Sequence, residues 1–141
     1  MASGRLDAVD CPFCAIVAGA PAHRVWEDEG VVAFLDIRPL FPGHTLVVPR
    51  SHLETLGELL DVAGFFGAVQ RVSRAVEVGT GAAGSFVAIN NRVSQSVPHL
   101  HCHVVPRTKG DGLRGFFWPR QRYEGEEQMA AVAAVIAAAT A

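Results

Sequence analysis

The chain has 141 residues, half of them hydrophobic and 18% charged, with a formal net charge of -2. This length fits about one domain, and the composition is that of a soluble globular protein, which excludes a largely disordered chain. Residues 1–10 contain no apolar run of signal-peptide length, and no uncharged stretch, 128–141 included, reaches the roughly 20 apolar residues that span a bilayer. The sequence therefore predicts a cytoplasmic protein that does not cross a membrane.

The first part of the chain predicts short elements. Residues 1–10 are interpreted as a flexible lead. The predicted elements that follow are a helix at 12–18 and strands at 23–27, 31–37 and 45–48. The acidic turn Asp28-Glu29-Gly30 has the length and the glycine of a hairpin connection, so the first two strands are expected to pair.

A long amphipathic helix is predicted at 61–79. Its apolar side chains recur at spacings of three and four residues, which predicts one buried face. The residues of that face are Val62, Phe65, Phe66, Val69, Val72 and Val76. Gly79 and Gly81 are expected to end the helix.

Two strands, at 85–90 and 99–105, and a C-terminal helix at about 126–139 complete the chain. Strands before and after a single long helix predict an antiparallel sheet with that helix on one face, which is the α+β class. No linker or repeat divides the sequence, so residues 11–141 are predicted to form one domain.

Three of the six histidines occupy alternate positions in the segment PHLHCHVVPR, residues 98–107. Every second side chain of a β-strand lies on one face, so His99, His101 and His103 are expected to project together. The intervening residues expected in the core are Leu100, Cys102 and Val104. Three interpretations compete: histidines exposed to water, ligands of a catalytic metal, and a histidine nucleophile oriented by its neighbours. The first is disfavoured because it predicts a mixture of polar residues on this face.

A second motif is CPFC, residues 11–14. Its cysteines, Cys11 and Cys14, have the spacing of half a zinc site or of a redox pair. A thioredoxin-like pair follows a strand of a larger α/β unit, whereas only ten residues precede this motif, so a redox role is disfavoured. A zinc site requires two further ligands.

Positive charge is concentrated near the histidine segment. Residues 91–123 hold six of the twelve basic residues and one acid, Asp111. The basic residues are Arg92, Arg107, Lys109, Arg114, Arg120 and Arg122. Such an excess favours a phosphate-bearing ligand through long-range attraction. Since these residues form neither a basic helix nor an aromatic platform, no nucleic-acid partner is predicted.

In combination these motifs resemble the histidine triad (HIT) family. HLHCHVV matches the family signature, in which histidines alternate with hydrophobic residues, and CPFCAIVAG, FLDIRP and GHTLVVPRSH stand upstream in the family's order. Trp118-Pro119 resembles a C-terminal feature of the phosphoramidate-cleaving branch. The resemblance implies a five-stranded antiparallel sheet packed with one long helix and shorter N- and C-terminal helices. It also implies a homodimer whose sheets join into one.

By this resemblance the protein is expected to be a nucleotidyl hydrolase. In such proteins the middle histidine, here His101, attacks an α-phosphate, and water hydrolyses the covalent intermediate to a nucleoside monophosphate. His103 would donate to the phosphate or the leaving group when protonated. Nucleoside phosphoramidates are the expected substrates. The alternatives are a dinucleoside polyphosphate hydrolase, a zinc-dependent hydrolase that uses the histidines as ligands, and a nucleotide-binding regulatory module.

The resemblance also implies the binding residues for a purine nucleotide. Phe34, Asp36 and Ile37 would hold the nucleoside, with the Asp36 carboxylate on the ribose hydroxyls. Phe34 and Asp36 share a strand face by the period of two. The polar residues implied near the phosphate or the leaving group are Asn90, Gln95 and Ser96.

A structural Zn²⁺ site is a further implication of the family resemblance. Its ligands would be Cys11, Cys14, His52 and His99. Four protein ligands close the shell and leave no position for water, so this zinc would be structural. It would tie the N-terminal helix to the histidine segment. The two remaining histidines, His23 and His44, are interpreted as structural or surface residues.

Overall fold

The computed structural model describes residues 10–113 and 120–140. The predicted lead at 1–10, apart from Asp10, and the Trp118-Pro119 feature lie outside the described residues. The chain divides into two compact units, the first ending at Asp111 and the second beginning at Gly112. The single domain predicted for residues 11–141 stays a prediction.

Five strands form one sheet in the first unit. They are β1 (Arg24–Glu27), β2 (Val31–Leu35), β3 (Thr45–Pro49), β4 (Gly84–Ile89) and β5 (Cys102–Arg107). All neighbours are antiparallel, in the order β1-β2-β3-β5-β4. The predicted α+β fold with a five-stranded antiparallel sheet is confirmed. Because β5 lies between β3 and β4, the histidine segment leads into an interior strand that is held by hydrogen bonds on both sides.

The helices of the described chain are α1 (Pro12–Val17), α2 (Val62–Thr80) and α3 (Glu126–Ala139), and a 3-10 turn spans Leu56–Glu58. The start of α2 is capped, because Gly64 N donates to Asp61 Oδ1 at 2.9 Å. Its end falls at Gly81, whose φ of 73° is left-handed. Glycine suits this position because it adopts positive φ without a Cβ clash.

One face of α2 packs against the sheet. Its buried residues are Phe65, Ala68, Val69, Val72 and Val76. They form one core cluster with side chains of β2, β3 and β5. The predicted face was wrong at Val62 and Phe66, which are 52% and 39% exposed. Phe66 points about 100° around the helix from Phe65, so it falls off the packed stripe. Val62 lies on the same side as Val69, but it is the first residue of the helix and is exposed there.

The strand β5 begins at Cys102 rather than at the predicted position 99, so His99 and His101 precede it. The ladder with β3 stops at Cys102, and Leu100 N donates instead to Leu53 O at 2.6 Å. The predicted alternation nevertheless continues through this segment. The residues that it places in the core with α2 are Leu100, Cys102 and Val104, all fully buried.

The opposite face of the sheet carries a second core cluster. Its buried members are Cys11, Phe13, Val32, Phe34, Leu46 and Val48. Cys11 caps α1 and Phe13 lies within it, while the other four belong to β2 and β3. α1 therefore packs on the sheet face opposite α2.

The second unit contains α3, which spans the residues predicted for the C-terminal helix. Among the described residues, the side chains of α3 are exposed. Glu126 and Glu127 occupy its first turn, where negative charge complements the helix dipole. Among the helices described, none combines the length and the apolar character needed to cross a bilayer. The predicted cytoplasmic location stays a prediction.

Candidate active site and metal centre

A cavity of about 520 Å³ lies between α1 and the adjoining sheet face. Pro12, Phe13 and Ile16 of α1 form part of its wall. Six of the residues predicted for catalysis or substrate binding also line it: Phe34, Asp36, Ile37, Ser96, His101 and His103. The structure therefore brings these six side chains to one concave site of the size that small-molecule ligands occupy.

His101 is the most enclosed of the histidines that line the cavity, with 3% of its surface exposed. Its Nδ1 lies 2.8 Å from His99 O. A carbonyl oxygen only accepts, so Nδ1 carries the proton and Nε2 keeps a lone pair. Burial lowers the pKa of His101, although the hydrogen bond to His99 and the charge of Asp36 raise it. His101 is therefore a neutral imidazole with its Nε2 available for attack on an electrophile.

The ring of His103 lies beside that of His101, with centroids 5.0 Å apart. Burial and the neighbouring histidines His101 and His44 lower the pKa of His103 to about 4. The ring is therefore neutral near pH 7, whereas the sequence analysis expected it to donate when protonated. Its Nδ1 lies 3.0 Å from His44 Nε2.

His44 is a residue whose place in the site was missed in the sequence analysis. It is 3% exposed, and it immediately precedes β3, the strand that pairs with β5. Its only signal in the sequence was its position in GHTLVVPRSH. Its contact with His103, 59 residues further along the chain, follows from the pairing of two strands that are distant in sequence.

Asp36 follows the end of β2 instead of lying within the strand as predicted. Arg38 N donates to its Oδ1 at 2.9 Å, and its Oδ2 is 3.7 Å from His44 Nε2. Phe34, two residues earlier, is 3% exposed and packs edge-on against Phe13 with ring centroids 5.5 Å apart. A carboxylate thus lies beside an aromatic wall, and the nucleoside contacts predicted for these residues stay a prediction.

The three polar residues predicted near the phosphate lie in different surroundings. Ser96 lines the cavity, whereas Asn90 is exposed and Gln95 is buried away from the lining. Gln95 Oε1 accepts from Arg92 N at 2.7 Å, and its Nε2 donates to Glu54 O. The amide of Gln95 therefore holds the loop, and its predicted contact with a leaving group stays a prediction.

Four other side chains converge at the N-terminal end of α1. They are Cys11, Cys14, His52 and His99. Cys11 Sγ lies 3.4 Å from His99 Nδ1, Cys14 Sγ lies 3.2 Å from His52 Nδ1, and the two Nδ1 atoms are 3.3 Å apart. Tetrahedral zinc with two nitrogen and two sulfur ligands places ligand atoms about 3.3–3.8 Å apart. The spacing therefore fits a four-coordinate zinc ion.

The protonation of this Cys₂His₂ cluster also fits a metal. His99 Nε2 lies 2.8 Å from Pro49 O and must donate to it, so its Nδ1 presents a lone pair to the cluster. Within the described residues His52 Nε2 is buried and unpaired, and its Nδ1 points to the same centre. Burial and Cys11 raise the pKa of Cys14 to about 11, and a bound cation would reverse this effect by favouring the thiolate.

The buried histidines predict a pH dependence of stability. The pKa values of His44 and His103 are lowered in the fold, chiefly by burial, so at mildly acidic pH the unfolded chain binds protons that the folded chain does not. The free energy of unfolding is therefore expected to be highest above about pH 6.5 and to decrease as the pH falls toward 4. Urea unfolding between pH 7 and pH 4.5 measures it.

Two variants serve as controls for this pH dependence. His103→Gln lacks one of the histidines whose pKa is lowered and should lose less stability on acidification than the wild type. His23→Gln changes an exposed histidine and should behave like the wild type. A decrease of the same size in all three proteins would contradict the assignment.

Fold and site together define a class: a small α+β protein that presents a neutral histidine to a cavity beside a Cys₂His₂ cluster. The chain matches the HIT domain over residues 18–110. The protein hit of Bacillus subtilis is 43% identical to it over 117 residues, which cover 79% of this chain and 80% of that protein. The chain belongs to the HIT, or histidine triad, family, as its sequence motifs indicated.

Two further similarities concern chemistry. Adenosine 5'-monophosphoramidase hnt1 of Schizosaccharomyces pombe is 35% identical over 124 residues, which cover 84% of this chain and 90% of that protein. The crystal structure of a Zn-bound histidine triad family protein from Mycobacterium smegmatis is 41% identical with a TM-score of 0.70. That alignment covers 94% of this chain and 99% of the other.

Proposed function

We propose that the protein is a nucleotidyl hydrolase that cleaves a nucleoside phosphoramidate or a related α-phosphate conjugate through a covalent intermediate on His101. The observation that carries this proposal is the hydrogen bond between His101 Nδ1 and His99 O. Its Nδ1–H is committed to His99 O at 2.8 Å, which leaves the Nε2 lone pair of a buried, neutral ring in the cavity. A neutral imidazole is nucleophilic near pH 7.

The reaction would proceed in two displacements at phosphorus. His101 Nε2 forms a bond to the α-phosphorus as the bond to the leaving nitrogen breaks, and that nitrogen takes a proton from solvent water and departs as the free amine. Water then attacks the same phosphorus and releases a proton to solvent, the bond to Nε2 breaks to restore neutral His101, and a nucleoside monophosphate leaves. Two moderate barriers replace one high barrier. Ser96 and His103 line the same cavity and supply polar groups for the phosphate.

The nucleoside of a purine nucleotide would lie against the apolar wall. Phe13 and Phe34 provide aromatic surface, and Ile37, which is 86% exposed, would be covered by the base. Asp36 would bind the ribose hydroxyls through its carboxylate. The name of the fission yeast relative, a monophosphoramidase, supports this substrate class.

We further propose that Zn²⁺ occupies the Cys₂His₂ cluster as a structural ion. The metal would join the two cysteines of the α1 turn to His52 and His99, and no ligand position would remain for a reacting water. His101 and His103 are not members of this cluster. The Zn-bound relative supports the assignment. Zinc would therefore hold the histidine segment in place while His101 performs the chemistry.

The test of this function is the hydrolysis of adenosine 5′-phosphoramidate. The expected products are AMP and ammonia, and mass spectrometry of a rapidly quenched reaction should find one nucleotidyl group on the peptide that contains His101. Release of AMP only from dinucleoside polyphosphates would favour the alternative hydrolase. Nucleotide binding without turnover of either substrate would indicate a regulatory module.

A homodimer is part of the same proposal. Within the described chain β4 is an edge strand with one paired side, and Val87 on it is 43% exposed. An unpaired edge invites a second strand, and pairing with a second copy would extend the sheet. Light scattering at micromolar concentration is expected to give the mass of two chains. A monomer mass would contradict this arrangement.

A further inference from the structure

A second group of possible metal ligands lies at the edge of the cavity. Asp36, His44 and His103 each direct one ligand atom toward the others, within 4.8 Å. His44 Nε2 is 3.0 Å from His103 Nδ1 and 3.7 Å from Asp36 Oδ2. By spacing alone these three residues resemble an open zinc site with a position free for water.

The backbone amide of Leu40 decides against that interpretation. Leu40 N donates to His44 Nδ1 at 3.0 Å. A neutral imidazole carries one proton, so the proton of His44 must lie on Nε2, the atom that a metal would need. If the proton moved to Nδ1 of His44, this N–H and the Leu40 N–H would face each other with no acceptor between them. His99 shows the opposite arrangement, because its second nitrogen meets the carbonyl of Pro49 and frees the other for metal.

The same amide determines the proton position of His103. His44 Nε2–H donates to His103 Nδ1 at 3.0 Å, since Asp36 Oδ2 at 3.7 Å is beyond hydrogen-bond distance. The proton of neutral His103 must then lie on Nε2. Among the described residues no group hydrogen-bonds to this Nε2, and the ring lines the cavity.

We propose that His44 is a positioning residue that holds His103 as its Nε2–H tautomer, so that neutral His103 donates a hydrogen bond to the phosphoryl group of the substrate. This inference rests on the proposed nucleotidyl hydrolase function and adds a residue to it. The two adjacent rings then have complementary roles. His101 offers the lone pair of Nε2 because its Nδ1–H donates to His99 O. His103 offers the proton of Nε2 because its Nδ1 accepts from His44 Nε2.

A neutral donor suits this position physically. Burial disfavours a charged imidazolium beside His101 and His44, and an imidazolium on His103 would be scarce at pH 7. A preorganised N–H needs no proton uptake before it stabilises the charge that develops on phosphoryl oxygens. Activity would then persist well above the pH at which His103 loses its charge.

The test compares His44→Leu with His44→Gln. Glutamine can accept from Leu40 N and donate to His103 Nδ1, whereas leucine can do neither. The leucine variant is expected to lose about 10²-fold in kcat for adenosine 5′-phosphoramidate with little change in KM, as for removal of one transition-state donor, and the glutamine variant should recover most of the loss. Equal losses in both variants would overturn the proposal.

A direct readout is the tautomer itself. ¹⁵N NMR of the histidine rings in the wild type should show His103 protonated at Nε2 and not at Nδ1, with His44 also protonated at Nε2. Protonation of His103 at Nδ1 would overturn the proposal even if His44→Leu does not fold. This spectrum needs no substrate, so an absent hydrolase activity with the expected tautomer would refute the proposed function and leave the tautomer assignment standing.

Zinc titration provides an independent check. The wild type is expected to bind one equivalent of Zn²⁺ per chain, in the Cys₂His₂ cluster, since the tautomer of His44 excludes the second group. A second equivalent that disappears in His44→Leu while the first remains would show that Asp36, His44 and His103 bind metal, and it would overturn the proposal.

Discussion

Replacement of His101 by alanine is expected to abolish hydrolysis of adenosine 5′-phosphoramidate, with a loss of about 10⁴-fold or more in kcat. His101 provides the only proposed bond to phosphorus, and the other groups of the cavity contribute orientation and hydrogen bonds. The variant removes that bond and leaves the cavity wall in place. AMP release under single-turnover conditions measures the effect.

Zinc content is the control for His101→Ala. His101 is not a member of the Cys₂His₂ cluster, so the variant should hold as much zinc as the wild type. Lost activity with retained zinc supports a histidine nucleophile and a separate structural metal. Loss of both together would support a metal-dependent hydrolase, and retained activity would contradict the role of His101.

Removal of zinc is expected to have the second large effect, on stability. The proposed ligands come from three separate segments: the start of α1, the loop after β3 and the segment before β5. A ligand that binds only the folded state stabilises it by about 4 kcal/mol when its free concentration is roughly 1,000 times Kd. Cys14→Ala should lose zinc and unfold at lower urea concentration, as should the wild type treated with a chelator.

The third cysteine provides a matched control. Cys102 is fully buried but lies in the core with α2, away from the cluster. Cys102→Ala should therefore keep its zinc and lose less stability, on the order of 1 to 2 kcal/mol for a shortened core side chain. A folded, active wild type that contains no zinc when purified without chelator would contradict the metal assignment.

Zinc removal should also weaken substrate binding, because α1 has two roles. Its cysteines belong to the cluster, and Phe13 between them lines the cavity. The ring of Phe13 packs edge-on against His99 and His101, with centroids 5.9 and 5.1 Å away. Displacement of α1 would remove this wall, so KM is expected to rise in Cys14→Ala.

Local patterns predicted most of the fold. The β1–β2 hairpin, the ends of α2 and the extent of α3 each depend on side-chain periodicity or turn residues within a short window. The errors have the same origin. Periodicity showed that α2 has an apolar face, but it could not show where the sheet meets that face, and so it assigned Val62 and Phe66 to the core. The start of β5 was misplaced because its ladder with β3 ends at Cys102.

In the candidate site, too, the sequence showed some features and the structure alone showed others. CPFC and the alternating histidines were visible in the sequence, and the family resemblance added His52 and Asp36. The predicted role of Gln95 near the phosphate or the leaving group stays a prediction, but the sequence did not show that its amide donates to Glu54 O, 41 residues earlier. No local pattern reports such a contact, because it depends on how the loop folds back on a distant segment.

The sequence by itself determined the element types, the inward and outward sides of the histidine segment and the family. These follow from spacings between near neighbours in the chain. Only the tertiary structure decided which ring nitrogen of His99, and in the proposed arrangement of His103, carries the proton. The partners that decide it for His99 and His103, Pro49 O and His44 Nε2, lie 50 and 59 residues away and reach them only when β3 and β5 pair.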